Sequence, residues 1–254
     1  MSNRVKTPVK ATATSARITE ALIELDGATV TELDDYLPLS KSSIHNHLET
    51  LETLGFVVRD GWTYRVSLRF LQIGGVARRQ HPLYEVGLPT VRSLADSSGL
   101  VASLVVVERS EAICLYSAIG EKAETAAVEA GDTLPFHCTA AGKALLAAIP
   151  FDRMDDVIAT DELKKRTEKT LTTRDALERE IRTIQSRGIA FEDEEWRTDL
   201  RGVADVILDI EDYPLGAISV TGPSELLSGK RFRQDIPGLV ISSSNKIQKA
   251  LRNK

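Results

Sequence analysis

Apolar residues in the first quarter of the chain recur with the period of short amphipathic helices. Ile18, Ala21, Leu22 and Leu25 fall at i, i+3, i+4 and i+7, one face of a helix that Gly27 should end. Thr29-Val-Thr-Glu32 has the form of a capping box, in which hydroxyl and carboxylate satisfy free amides reciprocally. It opens a second helix with Val30, Leu33 and Leu37 inward, and Pro38 lies just past its end. Ser40 can cap a third, in which Ile44, Leu48, Leu51 and Leu54 are buried and Gly55 is the stop. Two β-rich runs follow, FVVR at 56–59 and WTYRV at 62–66, with Asp60-Gly61 between them as the turn pair. Three helices and a hairpin make a winged helix-turn-helix over 15–66, preceded by a polar arm at 1–14 expected to be disordered.

Over 67–98 the pattern predicts a helical linker, interrupted where Gly74-Gly75 permits a bend and resuming after Pro82 with Leu83, Val86, Leu88, Val91, Leu94 and Ala95 on one side. That apolar side either meets a second copy of the chain or packs on the C-terminal domain. From residue 99 the texture changes. Strands are expected at 100–108 and 112–117, joined by the turn 109–111, with a weaker one at 125–129 and others at 203–210 and 217–220. Helices are expected at 140–148, at 173–187 and near the C-terminus, where Val240, Ile247 and Leu251 share a face. An antiparallel sheet flanked by helices makes the fold class α+β.

Charge changes this picture only slightly. The net charge of −5 argues against nucleic acid at first sight, but residues 1–80 hold 10 Lys/Arg against 9 Asp/Glu, whereas 81–254 hold 22 against 28. DNA affinity would therefore have to come from a local patch and from dimerisation. Nothing in the chain has the length and apolarity of a membrane span or a secretory signal, so a cytoplasmic protein without a membrane partner is expected. Cys114 and Cys138 are too isolated for a disulfide framework, and with the histidines they lack metal-ligand spacing, so neither metal nor cofactor is expected.

Burying one side of the third helix turns Lys41, Ser42, Ser43, Asn46, His47 and Thr50 outward beside the cap Ser40, with Glu49 and Glu52 away from the groove side. Short polar and cationic groups of this kind suit phosphates and base edges. The hairpin would add Arg59, Trp62, Tyr64 and Arg65. A protein-interaction module with the same three helices stays open, with Trp62 covering its core.

Two segments carry ligand chemistry. LPFHCTAAGK at 134–143 runs from an extended stretch into a helix start, where free amides beside Thr139, Ala140, Ala141 and Gly142 make room for an anion such as a carboxylate. A plain helix cap would look the same. EDEEWRTDLR at 192–201 is either a working acidic loop or a solvated one. An enzyme is disfavoured: His137 and Cys138 are adjacent and point apart on an extended segment, and no Walker loop, GxSxG elbow or HExxH occurs.

Three motifs in order resemble the IclR family of prokaryotic transcriptional regulators. They are LSKSSIHNHLETLETLGFV at 39–57, LPFHCTAAGKALLA at 134–147 and GIAFEDEEWRTDLRGVADVILDIEDYPLGAISVTGP at 188–223. The resemblance implies a GAF-like effector domain over 99–254, homodimers that often pair into tetramers, and a palindromic double-stranded DNA operator. It also implies a pocket for a small, usually carboxylated effector of sugar-acid or oxo-acid type. Carried over by position, the pocket would use Leu134, Ala140, Ala141, Glu192, Leu200, Gly202, Ser219 and Thr221, bordered by His137 and Thr139. Where relatives that bind small oxo acids have an aspartate, a cysteine and a second serine, this chain has Glu192, Gly202 and Thr221. Gly202 is expected to enlarge the pocket and Glu192 to reach into it, favouring a larger, hydroxylated ligand. Asn46 and His47 stand where an arginine and an apolar residue are common, so a different operator is expected.

Overall fold

The computed structural model describes residues 8–123, 127–150, 154 and 163–253, in two units that divide between residues 78 and 79.

In the first unit, α1 (Lys10–Glu24) starts within the segment expected to be a disordered arm. Ala11, Ala13 and Ala16 favour helix, and Thr14 satisfies its hydroxyl on the Lys10 carbonyl. Ile18, Ala21 and Leu22 are buried as their spacing predicts, while Leu25 is the C-cap and lies more than one-third exposed. Gly27, at φ +95°, ends the helix, and a Cβ there would lie 2.8 Å from Arg65 Cγ. The capping box of α2 (Val30–Tyr36) is complete, with Glu32 Oε2 accepting from Thr29 N and Thr29 Oγ1 from Glu32 N. Ser40 caps α3 (Lys41–Thr53), whose Ile44, Leu48 and Leu51 close a core with Ile18, Leu22, Leu33 and Val57.

The wing pairs β1 (Val57–Asp60) with β2 (Thr63–Val66), and its turn differs from the expected one. Asp60 pairs with Thr63, so the two loop residues are Gly61 and Trp62. Gly61 takes a positive φ and Trp62 does not, the arrangement of a type II′ turn with glycine at its first central position. A bridge from Ala28 to Tyr64 adds a third extended segment to the wing. Next, α4 (Arg69–Gln80) runs unbroken through Gly74-Gly75, correcting the expected interruption. The break falls at His81 (ψ 128°), the residue that Pro82 forces out of helical geometry.

In the second unit, α5 (Pro82–Ser98) packs on its own sheet, the second of the two roles open for that stretch. Gly87 is required there, since a Cβ would lie 2.7 Å from Leu104 Cδ2. The sheet is antiparallel throughout, in the order β5-β4-β3-β8-β7-β6. Its strands are β3 (Val101–Glu108), β4 (Glu111–Ile119), β5 (Thr133–Leu134), β6 (Ala190–Asp193), β7 (Leu200–Leu208) and β8 (Pro214–Pro223). Arg109 and Ser110 make the β3–β4 turn with both φ positive. The strand expected at 125–129 lies partly outside the described residues, and 127–129 are not in a strand. One face of the sheet is covered by α5 and the last helix α8 (Ile236–Arg252), which follows a turn of π-helix at Arg231–Asp235. The other is covered by α6 (Ala140–Ala147) and α7 (Arg174–Arg187). Helices on both faces of an antiparallel sheet give the α+β, GAF-like arrangement. Among the described residues, no helix is long and apolar enough to cross a membrane.

Candidate DNA-reading helix and effector cavity

At about 100° per residue, burial of Ile44, Leu48 and Leu51 centres the opposite face of α3 on Ser42, Asn46, Glu49 and Thr53. Asn46 is exposed, and its amide has no partner among the described residues. Ser42 and Lys41 are exposed on the first turn, with Ser43 half-buried. Ser40 is occupied as the cap, and the Thr50 hydroxyl bonds back to the Asn46 carbonyl. His47 is placed elsewhere: it is half-buried and its Nδ1 shares a 2.8 Å hydrogen bond with Ser15 of α1. Glu49, expected off the groove side, is exposed beside Asn46 and lies 3.9 Å from His45.

In the wing, Trp62 is 80% exposed at the turn, and the Arg59 guanidinium lies 5.3 Å from its ring while donating to the Gly61 carbonyl. Arg65 is exposed. Tyr64 departs from its expected role. It is 4% exposed, because the bridge to Ala28 turns its ring into the core of the unit.

The ladder of β6, β7, β8 and β3 aligns Glu192 with Gly202 and Thr221, and in the next row Ala190, Ala204, Ser219 and Ser103. These side chains share the face under α6, whose first residues Ala140 and Ala141 lie above them. Thr139 caps α6, accepting from Gly142 N and donating to the Pro135 carbonyl. The cavity enclosed here is lined by Leu134, Thr139, Ala140, Ala141, Glu192, Ser219 and Thr221, all expected. It is also lined by Ser103, Val128 and Trp196, which were not. The Ser103 hydroxyl is buried without a hydrogen-bond partner among the described residues. Ser103 is marked in the sequence as a polar residue inside the apolar run 100–107, and Trp196 as the aromatic of the acidic segment; Val128 carries no signal. His137 is fully buried with Nε2 on the Lys164 carbonyl, and Leu200 is half-buried at the start of β7; neither lines the cavity.

Gly202 does not enlarge the cavity. A Cβ there would lie 3.2 Å from Ala140 Cβ and 3.3 Å from Glu192 Oε2, so the space it frees holds the longer carboxylate. The remaining free volume, about 10 Å³, has room for about one water-sized sphere. Glu192 is 2% exposed, and its Oε1 accepts from Glu195 N and Trp196 N. Burial pushes its carboxyl up to about 8 and the charge of Glu195 pushes the same way, against the two backbone donors and Lys143. It is therefore largely neutral at pH 7 and can donate a hydrogen bond.

The acidic segment is neutralised by cations of its own and of neighbouring elements, and its first two residues end strand β6. Arg201 and Lys169 hold Asp193 and Glu194, and Lys143, 1% exposed on α6, holds Glu195. Burial still raises the Glu195 carboxyl. Among the described residues, no cluster of three or more His, Cys, Asp or Glu could hold a metal ion.

A family model for the IclR helix-turn-helix domain matches residues 15–61, and one for the bacterial transcriptional regulator IclR C-terminal region matches 76–249. The chain belongs to the IclR family. Among IclR relatives, the HTH-type regulator ArcR of Halobacterium salinarum is 31% identical over 92% of this chain and 90% of its own. The transcriptional repressor IclR of Escherichia coli is 26% identical over 91% and 86%. A transcriptional regulator from Rhodococcus superposes with a TM-score of 0.84 at 22% identity, covering 96% of this chain and 99% of that one. An IclR homologue from Microbacterium hydrocarbonoxydans, solved with 4-hydroxybenzoate, superposes at 0.77 with 19% identity over 94% and 100%. This IclR-family chain is thus a DNA-binding transcriptional regulator with a C-terminal ligand-binding domain, in a family of regulators rather than enzymes.

Proposed function

We propose that the protein is a homodimeric regulator whose hold on a palindromic operator is set by a small carboxylated metabolite, of sugar-acid or oxo-acid type, whose carboxylate enters the cavity under α6. The observation that carries the reading is the buried Ser103 hydroxyl, partnerless among the described residues, in one cavity with Ala140 and Ala141 of the α6 start and the buried Glu192. An anionic group meets hydrogen-bond donors there, and the neighbouring Glu195 carboxylate is held by Lys143. The homologue solved with 4-hydroxybenzoate supports a carboxylated ligand, its own being an aromatic hydroxy acid.

What supports a dimer is α4 and the residue before it. Leu68, Leu71, Ile73 and Val76 are 84%, 73%, 45% and 45% exposed, apolar surface around a helix with no buried residue, which a second copy would cover. Two copies place two α3 helices in successive major grooves, about one helical turn of DNA apart or a multiple of it, and pairs of dimers extend the same contacts. Asn46 reads an adenine edge through its amide, Ser42 and Lys41 hold backbone, and Arg59, Trp62 and Arg65 engage the flanking backbone or minor groove. Strand β3 carries Ser103 into the cavity and Leu104 against Gly87 of α5, so ligand binding is felt at the helix that follows α4. A cytoplasmic setting follows from a DNA target.

The test is titration of the protein into its own promoter DNA across a salt series. Asn46→Ala should relax sequence preference, costing about 1–3 kcal/mol on the preferred site, and Arg65→Ala should lower the salt slope by about 1. Binding unchanged by both substitutions would sink the reading-helix assignment.

A further inference from the structure

A ligand-sized metabolite does not fit within the free volume of the inner cavity, about 10 Å³. Directly outside it lies a groove of about 390 Å³. The two share Leu134 and Trp196, which therefore stand as the partition between them. On its outer side the groove is bounded by Glu111 and Thr133 of the β4–β5 edge and by Arg166 and Arg197.

Besides the Glu111 carboxylate on the strand edge, the charges around this groove fall into two groups. Asp193, Glu194 and Glu195 are each held by a cation. Arg166 and Arg197 have no carboxylate partner among the described residues, and the Arg197 guanidinium instead lies 4.1 Å from the centre of the Trp196 ring. Two uncommitted guanidinium groups at the mouth of a cavity form a second place for an anion, and Arg takes carboxylates in a planar, bidentate manner. Trp196 links the two places mechanically, since its backbone N–H lies on the Glu192 carboxyl inside while its ring carries Arg197 outside.

We propose that the outer groove is a second subsite of the effector site and that the effector is an elongated dianion, of the linear dicarboxylate class. One carboxylate passes Trp196 to reach the α6 amides, and the other is held by Arg166 and Arg197. This rests on the inner cavity being the effector site.

Trp62 and Trp196 are the only tryptophans, so in a Trp62→Phe background emission reports Trp196 alone. The probes are linear α,ω-dicarboxylates of increasing length, each set against the monocarboxylate of equal length. At one length the dicarboxylate should bind at least about tenfold tighter than its monocarboxylate and shift Trp196 emission. Arg166→Ala with Arg197→Ala should reduce it to the monocarboxylate's affinity. Absence of any gain across the series, or a gain that survives the double substitution, overturns the outer subsite. Monocarboxylate binding that is insensitive to Gly202→Val overturns instead the inner-cavity reading beneath it, and no binding by either class overturns both.

Discussion

On the face of the sheet under α5 and α8, the central strands carry Leu104, Val106, Val203, Ile207, Ile218 and Val220, each at most 3% exposed. On the face under α6 and α7 the same strands carry Ser103, Gly202, Ala204, Ala217 and Ser219. Because side chains alternate across a strand, Ile218 and Ser219 are neighbours in sequence and serve opposite faces. One face fills its space with branched side chains and holds the sheet together. The other keeps Val105 but omits side-chain volume around Ser103, Gly202 and Ser219, and lines what remains with hydroxyls and one carboxyl. A binding cavity can thus be cut into the face of a sheet and closed by loop residues such as Val128 and Trp196, provided the opposite face supplies the stability.

That contrast can be broken at several points. The largest effect is expected at Lys143→Met, which strands the buried Glu195 and should cost about 3–5 kcal/mol in urea unfolding; adding Glu195→Gln should recover most of it. Next, Ile218→Ala on the dense face should cost about 2–5 kcal/mol, whereas Ser219→Ala should stay within about 1. Equal costs would erase the distinction between the faces. Smaller, and visible only as a function of pH, is the effect of Glu192. Between its ordinary value of 4.5 and about 8 the folded chain holds a proton there that the unfolded chain has released, so stability falls as pH rises through that window. Glu192→Gln should flatten the dependence, and an unchanged profile would mean that the carboxyl is ionised throughout.

Helices were legible wherever a cap and an apolar stripe agreed, as at Thr29, Ser40 and Thr173. The wing was legible as a hairpin, but its turn was displaced by one residue, because Asp60-Gly61 and Gly61-Trp62 both supply a glycine able to take positive φ. The displacement has no local signature; the pairing of Asp60 with Thr63 decides it. Tyr64 looked like a groove residue because its neighbours are polar, and only the long-range bridge to Ala28 turns it inward. Strand β6 was hidden by its charges. Glu192 and Asp193 read as part of an acidic loop, working or solvated, yet they sit in a strand because Gly202 makes room for one and Arg201 neutralises the other. At the cavity, positions on α6 and β8 could be read from motifs, whereas Ser103, Val128 and Trp196 enter through sheet pairing and tertiary packing.

The two glycines at the middle of α4 leave that helix continuous, and this has a mechanical consequence. Each gives up about 1 kcal/mol of helix stability relative to alanine. Together they make the middle of α4 open about 30-fold more often than a Gly74→Ala/Gly75→Ala helix would, for about 2 kcal/mol. Straight at rest and compliant under torsion, α4 behaves as a weak link of defined position, whose amide protons should be the fastest to exchange between Arg69 and Gln80 once the frayed ends are set aside.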